Sequence, residues 1–277
     1  MKPKVSAVMC TYGRFTCVER ALNCFLSQTY TNKELIIYNT DEFSPYTDLD
    51  CKLMPYGVFF INSNIDTITK QAYTNVGAIR RDALNFATGD YVVTWDDDDI
   101  FLPHFIEQAI DRMADTGLPS FKPEMSFFYS GNNLRLVRNT LEASIVADIK
   151  KVREYGYLLE TGKEGLGWYT KMRDNKELDE HDKFYVPAYC FNWNDGQEMK
   201  APHKQSGDID NPENFENHKK SSQDRVDGRE LKIWDEYKIG FMYEPYFSFL
   251  EQTKANYPQE LLEKYRYIQA TNVNYLH

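Results

Sequence analysis

Four consecutive aspartates, Asp96, Asp97, Asp98 and Asp99, have the residue type and spacing that most clearly indicate chemistry. They follow an apolar run, 91–95, that is typical of a buried strand. Adjacent carboxylates repel one another unless water or a cation screens them. In an extended backbone Asp96 and Asp98 point to one side and Asp97 and Asp99 to the other, which offers a hard divalent cation two oxygen ligands. A solvated acidic turn is the alternative, and the flanking apolar segments disfavour it.

Strand and helix patterns alternate up to residue 117, and this alternation is typical of an α/β fold with a parallel sheet covered by helices on both faces. The capping box of Thr16 and Glu19 predicts the start of the first helix. The predicted strands are 5–10, 34–38, 58–61 and 91–95, and the later helices are 69–87, with Arg80, Arg81 and Asp82 on its polar face, and about 103–117.

The second part of the chain has a different pattern. A hairpin is predicted at 125–129 and 134–137, a strand at 143–147, a helix at 149–157, another helix around 168–173, and a last strand at 184–191. Residues 192–229 are polar and without periodicity, which is typical of a functional loop.

Composition limits the possible functions. With 277 residues, 42% of them hydrophobic and 15% aromatic, the chain is long and apolar enough for a globular core. The net charge of −10 argues against a broad basic face for nucleic acid or anionic membrane. Because no apolar run is long enough for a signal peptide or a membrane span, we expect a cytoplasmic protein. The five cysteines contain no CxxC pair and predict reduced thiols.

Polar loops follow the first two predicted strands. Thr11, Tyr12 and Arg14 come after the first strand, and Asn39 begins the segment after the second. In open α/β sheets, ligands bind outside the carboxyl ends of the strands. Both loops are therefore candidate ligand contacts, together with the acidic run.

Taken in order, these segments resemble family 2 glycosyltransferases of the GT-A fold. The resemblance is carried by VSAVMCTYGR, LSQTYTNKELIIYNTDE and IRRDALNFATGDYVVTWDDDD, followed by Pro103, and it covers roughly residues 4–110. It implies a Rossmann-like, mostly parallel central sheet flanked by helices, with a smaller mixed acceptor region and a C-terminal tail. The expected organisation is a nucleotide-sugar-binding half at 1–117, an acceptor and catalytic half at 118–229, and a C-terminal extension at 230–277.

The resemblance also implies roles for residues of the first half. Thr11, Tyr12 and Arg14 are expected to line the nucleotide site. Asn39 stands where the family usually has an aspartate that contacts the base. Arg81 matches the arginine of the family's Arg-Asn pair and is expected to approach the diphosphate or to hold the acidic loop.

The acidic run corresponds to the family's Asp-x-Asp motif. Asp96 is expected near the ribose and the metal, Asp98 on the metal, Asp97 at the ribose or solvent, and Asp99 as the third acid, with a catalytic or loop-anchoring role. His203 resembles a late histidine that reaches the metal or diphosphate in some GT-A enzymes. An all-oxygen site of this kind suits Mn²⁺ or Mg²⁺, and the expected donor is a nucleotide sugar, with a UDP-sugar favoured.

A glycosyl acceptor hydroxyl needs a general base. In the family this is the aspartate of a Glu-Asp pair, and the candidate here is Glu164, although Gly165 follows it and breaks the pair. Neighbouring glycines suggest a loop that closes over substrate. Glu160, Asp179 and Asp182 are the other candidates.

The predicted activity is metal-dependent sugar transfer from a nucleotide diphosphate to a hydroxyl, with inversion. A sugar nucleotidyltransferase is an alternative enzyme, disfavoured because no Gly-rich basic loop follows the first strand. A non-catalytic module that uses Ca²⁺ to bind carbohydrate is a third possibility. The acceptor classes left open are glycan, lipid-linked sugar, protein and a hydroxylated base in phage DNA, and the net charge disfavours nucleic acid.

Overall fold

The computed structural model describes residues 2–12, 14–42, 53–130, 133–139, 141–160, 163–180, 187–192 and 233–235. The helices in these ranges are α1 (Phe15–Leu26), α2 (Val76–Leu84), α3 (Phe105–Thr116), α4 (Ile149–Tyr155) and α5 (Leu166–Asp174). The strands are β1 (Val5–Thr11), β2 (Lys33–Asn39), β3 (Val58–Asn62), β4 (Tyr91–Thr94), β5 (Ile100–Phe101), β6 (Ser120–Phe121), β7 (Met125–Ser130), β8 (Asn133–Arg138), β9 (Val146–Asp148), β10 (Leu178–Asp179), β11 (Tyr189–Asn192) and β12 (Ile233–Asp235).

The main sheet is mostly parallel, as expected. Its strand order within the described residues is β10-β6-β9-β4-β1-β2-β3, and β9 runs antiparallel to both of its neighbours. Strands β1, β2, β3 and β4 pair in parallel register, with Val5 opposite both Lys33 and Tyr91. Because β6, β9 and β10 also belong to this sheet, it contains strands from both sides of residue 117.

Helices cover both faces of the main sheet. On one face, Ala7 and Met9 of β1 pack with Phe25 of α1 and Ile106 of α3. On the other face, Val8 of β1 packs in a second cluster with residues of α2, α4 and α5. Successive residues of β1 therefore belong to opposite layers of core, which explains why its sequence is a continuous apolar run rather than an alternating one.

A second sheet lies beside the first and has the order β12-β8-β7-β11-β5 within the described residues. The predicted hairpin is confirmed, since β7 and β8 pair antiparallel with Ser130 opposite Asn133. Strand β11 pairs with β7 and also with β5, which directly follows the four aspartates. This sheet therefore joins the later part of the chain to the acidic loop.

Helix α2 is shorter than the 69–87 predicted. It begins after Asn75, whose side chain accepts a hydrogen bond from the backbone of Ala78 over 2.8 Å. The preceding residues form a turn in which the Asp66 carboxylate accepts from the backbone of Ile68 and Thr69. The polar face predicted for this helix is also wrong, because Arg80 and Asp82 are buried.

Two further local predictions differ from the structure. Helix α1 begins at Phe15 with Arg14 at the N-cap position and no side-chain cap, so Thr16 lies inside the helix rather than at its cap. The strand predicted at 143–147 is confirmed in part, because β9 covers Val146–Asp148 while Glu142–Ser144 before it form a 3₁₀ turn. Among the described residues, no helix has the length and apolarity needed to cross a membrane.

Candidate active site

The polar loops meet at one edge of the main sheet. Strands β1, β2 and β4 are parallel neighbours, so the segments after Thr11, Asn39 and Thr94 leave the sheet at the same edge. Strand β6 also runs in this direction, because β9 is antiparallel to it and to β4. Candidate contacts that lie far apart in sequence are therefore adjacent in space, as expected for an open α/β sheet.

Trp95 anchors the start of the acidic loop. Its ring is fully buried and stacks on Phe101 at a centroid distance of 3.8 Å. Its indole Nε1 donates to the carbonyl oxygen of Ala21 over 3.0 Å, and its backbone N donates to the carbonyl oxygen of Val8 over 2.9 Å. The residue before the first aspartate is thus attached to both β1 and α1.

Asp97 is buried and tied to the loop after β1. Its Oδ2 accepts from the Thr11 hydroxyl over 2.7 Å and from Arg14 Nε over 3.1 Å, and its Oδ1 pairs with the same guanidinium. Burial raises the pKa of Asp97 to about 7, and the Asp98 charge adds to the rise against the opposing effect of Arg14. Asp97, expected at the ribose or solvent, instead holds two loops together.

Asp99 is buried on the opposite side, against the second sheet. Its Oδ2 accepts from the Tyr189 hydroxyl over 2.5 Å, and its Oδ1 accepts from the backbone N of Asn192 over 3.0 Å. Burial raises the pKa of Asp99 well above its usual value, and the nearby Asp98 charge adds to the rise. With 1% exposure its carboxylate is enclosed by protein, so the structure favours the anchoring role over the catalytic role expected for this residue.

Asp96 and Asp98 are the two more open carboxylates of the run, with 26% and 14% of their side-chain surface exposed. Asp96 Oδ1 accepts from Arg80 Nη2 over 2.8 Å, and Asp98 Oδ2 accepts from Arg14 Nη1 over 3.0 Å. The other oxygen of each carboxylate makes no hydrogen bond within the described part of the chain. Burial, with the charges of Asp98 and Glu164, raises the pKa of Asp96 despite Arg80.

Arg80 connects the acidic loop to Glu164. Arg80 is 7% exposed, and its Nη1 lies 3.3 Å from Glu164 Oε1 while its Nη2 bonds to Asp96. Glu164 lies in the turn before α5 and is itself buried. The predicted base and the predicted metal ligand are therefore separated by a single guanidinium.

The glycine after Glu164 lies against another side chain. A Cβ at Gly165 would lie 2.4 Å from Cγ of Glu142, so a larger residue there requires the Glu142 side chain to shift. The described part of this segment, 163–165, forms a turn before α5, and closure over substrate stays a prediction.

Arg81 does not hold the acidic loop. Its Nη2 donates to Asp66 Oδ1 over 2.8 Å, and its Nε donates to Asp82 Oδ1 over 2.8 Å. The prediction placed this role one residue too late, because Arg80 makes the contact with Asp96. Arg81 fixes the turn before α2, and a contact with diphosphate stays a prediction.

Asn39 is buried and crosslinks strand ends. Its Nδ2 donates to Asn62 Oδ1 over 3.0 Å, and its Oδ1 accepts from the backbone N of Asp41 over 3.1 Å. The amide thus shapes the loop after β2 where a base was expected to bind. Tyr12 lies directly after β1 and is half-buried.

The other candidate bases differ in position. Glu160 is 58% exposed at its side chain and pairs with Lys163 over 3.4 Å, whereas Asp179 at the sheet edge pairs with Arg112 Nε over 2.5 Å. Asp182 and His203 lie outside the described residues. Within the described chain, Glu164 is the candidate base that shares an arginine with the acidic loop.

Sequence reasoning missed several residues of this site. Tyr189 and Asn192 hold Asp99, and Arg20 Nη2 donates to the carbonyl oxygen of Asp98 over 2.9 Å. Arg80 carried a usable signal, because it follows the apolar residue Val76 by four positions and so falls on the buried face of the helix. Tyr189 and Asn192 carried none, since pairing of β11 with β5 is a long-range contact.

The carboxylates of Asp96 and Asp98 fit a hard divalent cation whose other ligands are phosphate and water oxygens. No group of three or more His, Cys, Asp or Glu with metal-binding geometry occurs in the described ranges. Asp96 and Asp98 supply carboxylate oxygens, which suits an ion such as Mg²⁺ that is held by one or two carboxylates plus phosphates and water.

The part of the chain that matches a known family contains the candidate site residues of the first half. Residues 6–133, which include most of β1, all of β2 and β4, and the acidic loop, match the family described as Glycosyl transferase family 2. The match identifies residues 6–133 as a region of this family. The expected GT-A fold is supported by solved structures as well. The S. aureus TarS fragment 1-349 bound to UDP-GlcNAc has a TM-score of 0.52 at 13% identity, over 72% of this chain and 60% of that one.

Two curated relatives are more similar to the chain in sequence. An Escherichia coli protein named UDP-Glc:alpha-D-GlcNAc-diphosphoundecaprenol beta-1,3-glucosyltransferase WfgD is 28% identical over 63% of this chain and 62% of its own length. Putative glycosyltransferase EpsE of Bacillus subtilis is 30% identical over 39% of this chain and 37% of its own length. The chain thus spans less than two thirds of either relative.

Proposed function

We propose that this protein is a metal-dependent glycosyltransferase that moves a sugar from a nucleotide diphosphate to a hydroxyl acceptor with inversion at the sugar. The observation that carries the proposal is the difference in exposure among the four aspartates. Asp97 and Asp99 are buried anchors, while Asp96 and Asp98 keep part of their surface open at the ligand-binding edge of the sheet.

The loops around the open carboxylates form the proposed donor site. Thr11 and Arg14 follow β1, the parallel neighbour of β4, and the Asn39 turn follows β2, which lies on the far side of β1 from the acidic loop. Arg14 places a guanidinium between Asp97 and Asp98, where a diphosphate bound to the same cation would meet positive charge.

Asp96 and Asp98 are the proposed holders of a divalent cation, Mn²⁺ or Mg²⁺. When bound, such an ion neutralises charge that develops on the leaving diphosphate. The residues themselves supply two carboxylates on a loop that is fixed at both ends, by Trp95 and by Asp99. A loop held in this way keeps its ligand geometry at little entropic cost.

Glu164 is the proposed base. Its carboxylate takes the proton of the acceptor hydroxyl, the hydroxyl oxygen bonds to the anomeric carbon, and the bond from that carbon to the diphosphate oxygen breaks with its electron pair. The products are the glycosylated acceptor and the nucleoside diphosphate. The contact of Glu164 with Arg80, which also holds Asp96, supports a position next to the donor.

A UDP-sugar is the proposed donor. The name of the E. coli relative gives UDP-Glc as donor and a lipid diphosphate-linked GlcNAc as acceptor, and for this chain a lipid-linked or polysaccharide sugar is the favoured acceptor class. The net charge of −10 disfavours DNA.

The test measures hydrolysis and transfer with a panel of nucleotide sugars, with and without Mn²⁺. We expect metal-dependent turnover of at least one UDP-sugar, lost in Asp98→Asn and retained in the control Asp174→Asn, whose side chain is 66% exposed. Turnover of no donor contradicts the proposal. Calorimetry adds a second criterion, since binding of metal that is indifferent to UDP supports a non-catalytic module instead.

A further inference from the structure

The contacts of Arg80 with its two acidic neighbours are unequal. Nη2 makes a 2.8 Å hydrogen bond to Asp96 Oδ1, whereas Nη1 lies 3.3 Å from Glu164 Oε1 without hydrogen-bonding geometry. All three side chains belong to one cluster in which the Arg80 charge is attracted by both carboxylates. The guanidinium is thus hydrogen-bonded to Asp96, and it lies near Glu164 without a hydrogen bond to it.

Hydrogen-bonding capacity is left unused between Arg80 and Glu164. Nε and Nη1 of Arg80 and Oε2 of Glu164 are buried and have no hydrogen-bond partner among the described residues. Buried polar atoms normally have hydrogen-bond partners, and burial of such an atom without a partner costs free energy. Because Nη1 lies 3.3 Å from the other oxygen of the same carboxylate, Oε1, a change of side-chain torsions is enough to pair these donors with Glu164.

The backbone around this cluster is fixed. Gly77 of α2 packs so closely on the 158–159 segment that a Cβ there would lie 1.9 Å from the carbonyl oxygen of Leu158. The backbone N of Leu158 in turn donates to the carbonyl oxygen of Glu164 over 2.9 Å. Helix α2, which carries Arg80, and the turn that carries Glu164 are therefore held together, so a shift of the guanidinium needs only side-chain movement.

We propose that Arg80 is a positioning residue that passes its ion pair from Asp96 to Glu164 when a divalent cation binds at Asp96. This inference rests on the proposed function, which places the cation at Asp96 and Asp98. The cation takes over neutralisation of Asp96, and Arg80 completes its hydrogen bonds to Glu164. By reciprocity, a Glu164 carboxylate that receives Arg80 favours binding of the cation.

A simpler coupling makes a different prediction. If Glu164 acts on the cation by its negative charge alone, its effect persists when Arg80 is replaced by a neutral side chain. If it acts through Arg80, the effect disappears. A double-mutant cycle on cation affinity separates the two cases and needs no acceptor.

The experiment titrates the full chain with Mn²⁺ by calorimetry, in the presence of UDP. We expect Glu164→Gln to weaken Mn²⁺ binding by about tenfold, and the control Glu154→Gln, at an exposed position of α4, to leave it unchanged. In an Arg80→Met background, Glu164→Gln should change the affinity by less than about twofold. Arg80→Gln, which keeps a polar side chain, serves as a second neutral background if Arg80→Met does not fold.

Three outcomes overturn the inference. An unchanged Mn²⁺ affinity in Glu164→Gln does so without any Arg80 variant. An equal loss from Glu164→Gln with and without Arg80 shows direct attraction of the cation, while the proposed function stands. A wild-type chain that binds no Mn²⁺ with UDP present removes both the inference and the metal-dependent function.

Discussion

The Tyr189 hydroxyl donates a hydrogen bond to Oδ2 of Asp99 across 2.5 Å, and both residues are fully buried. Tyr189 belongs to β11 of the second sheet, and Asp99 ends the acidic loop of the main sheet. The two sheets are thereby joined at the loop that carries Asp96 and Asp98. The geometry of the candidate cation ligands therefore depends on packing 90 residues away in sequence.

Removal of this hydroxyl should destabilise the fold. Tyr189→Phe leaves Asp99 Oδ2 without its donor in a buried position, so we expect the free energy of unfolding to fall by about 1–3 kcal/mol. Urea denaturation measures the change. Tyr56→Phe, at a 65% exposed position, is the matched control and should be neutral. Equal stability of the two variants would contradict the anchoring role of Asp99.

Replacement by asparagine should affect mainly stability at Asp97 and mainly cation binding at Asp98. Asp97→Asn breaks the buried pair with Arg14 and should lower the free energy of unfolding by about 3 kcal/mol. Asp98→Asn, at a more open carboxylate, should cost less than about 1 kcal/mol and remove Mn²⁺ binding. Denaturation and calorimetry on both variants measure these effects. The proposed roles are reversed if Asp97→Asn is the stable variant that loses the cation.

Acid should weaken the contribution of Asp82. Although burial opposes it, hydrogen bonds from Arg81, Thr67 and Tyr73 hold the pKa of Asp82 at about 2, below the usual 3.8. A lowered native pKa stabilises the fold fully above the unfolded value, and this stabilisation is lost as pH falls from about 4 towards 2.

The measurement compares the unfolding free energies of the wild type and Asp82→Asn between pH 7 and pH 3. We expect the variant to be less stable by about 2 kcal/mol at pH 7 and the difference to shrink by roughly half at pH 3. A difference that stays constant over this range would show that ionisation of Asp82 does not stabilise the fold.

Gly77→Ala should destabilise the protein although alanine favours helices. Alanine in a helix interior is usually better than glycine by about 1 kcal/mol. Here the new Cβ would lie 1.9 Å from the carbonyl oxygen of Leu158, so the helix and the 158–159 segment must separate. We expect a loss of about 1–3 kcal/mol in the free energy of unfolding, with weaker Mn²⁺ binding if Glu164 moves away. A gain in stability would contradict the close packing of α2 on that segment.

Local sequence patterns predicted the elements that form the main sheet. The continuous apolar runs became β1, β2, β3 and β4 within a residue or two, and α3 ends at Gly117, the predicted end of that helix. These predictions succeeded because hydrophobic periodicity and turn residues act within a few positions. The extent of α2 was predicted poorly, because its start depends on the Asn75 cap and on the turn held by Asp66, Arg81 and Asp82.

The sequence by itself determined that a strand ends in four carboxylates, that polar loops follow two parallel strands, and that these segments occur in the order of family 2 glycosyltransferases. Only the tertiary structure decided which carboxylates are anchors and which stay open, because burial of Asp97 and Asp99 depends on partners from β1 and β11. It also decided that Arg80, and not Arg81, joins Asp96 to Glu164, since one residue along a helix turns a side chain by about 100°. Whether an arginine neutralises a carboxylate depends on the distance between their atoms, and the fold sets that distance.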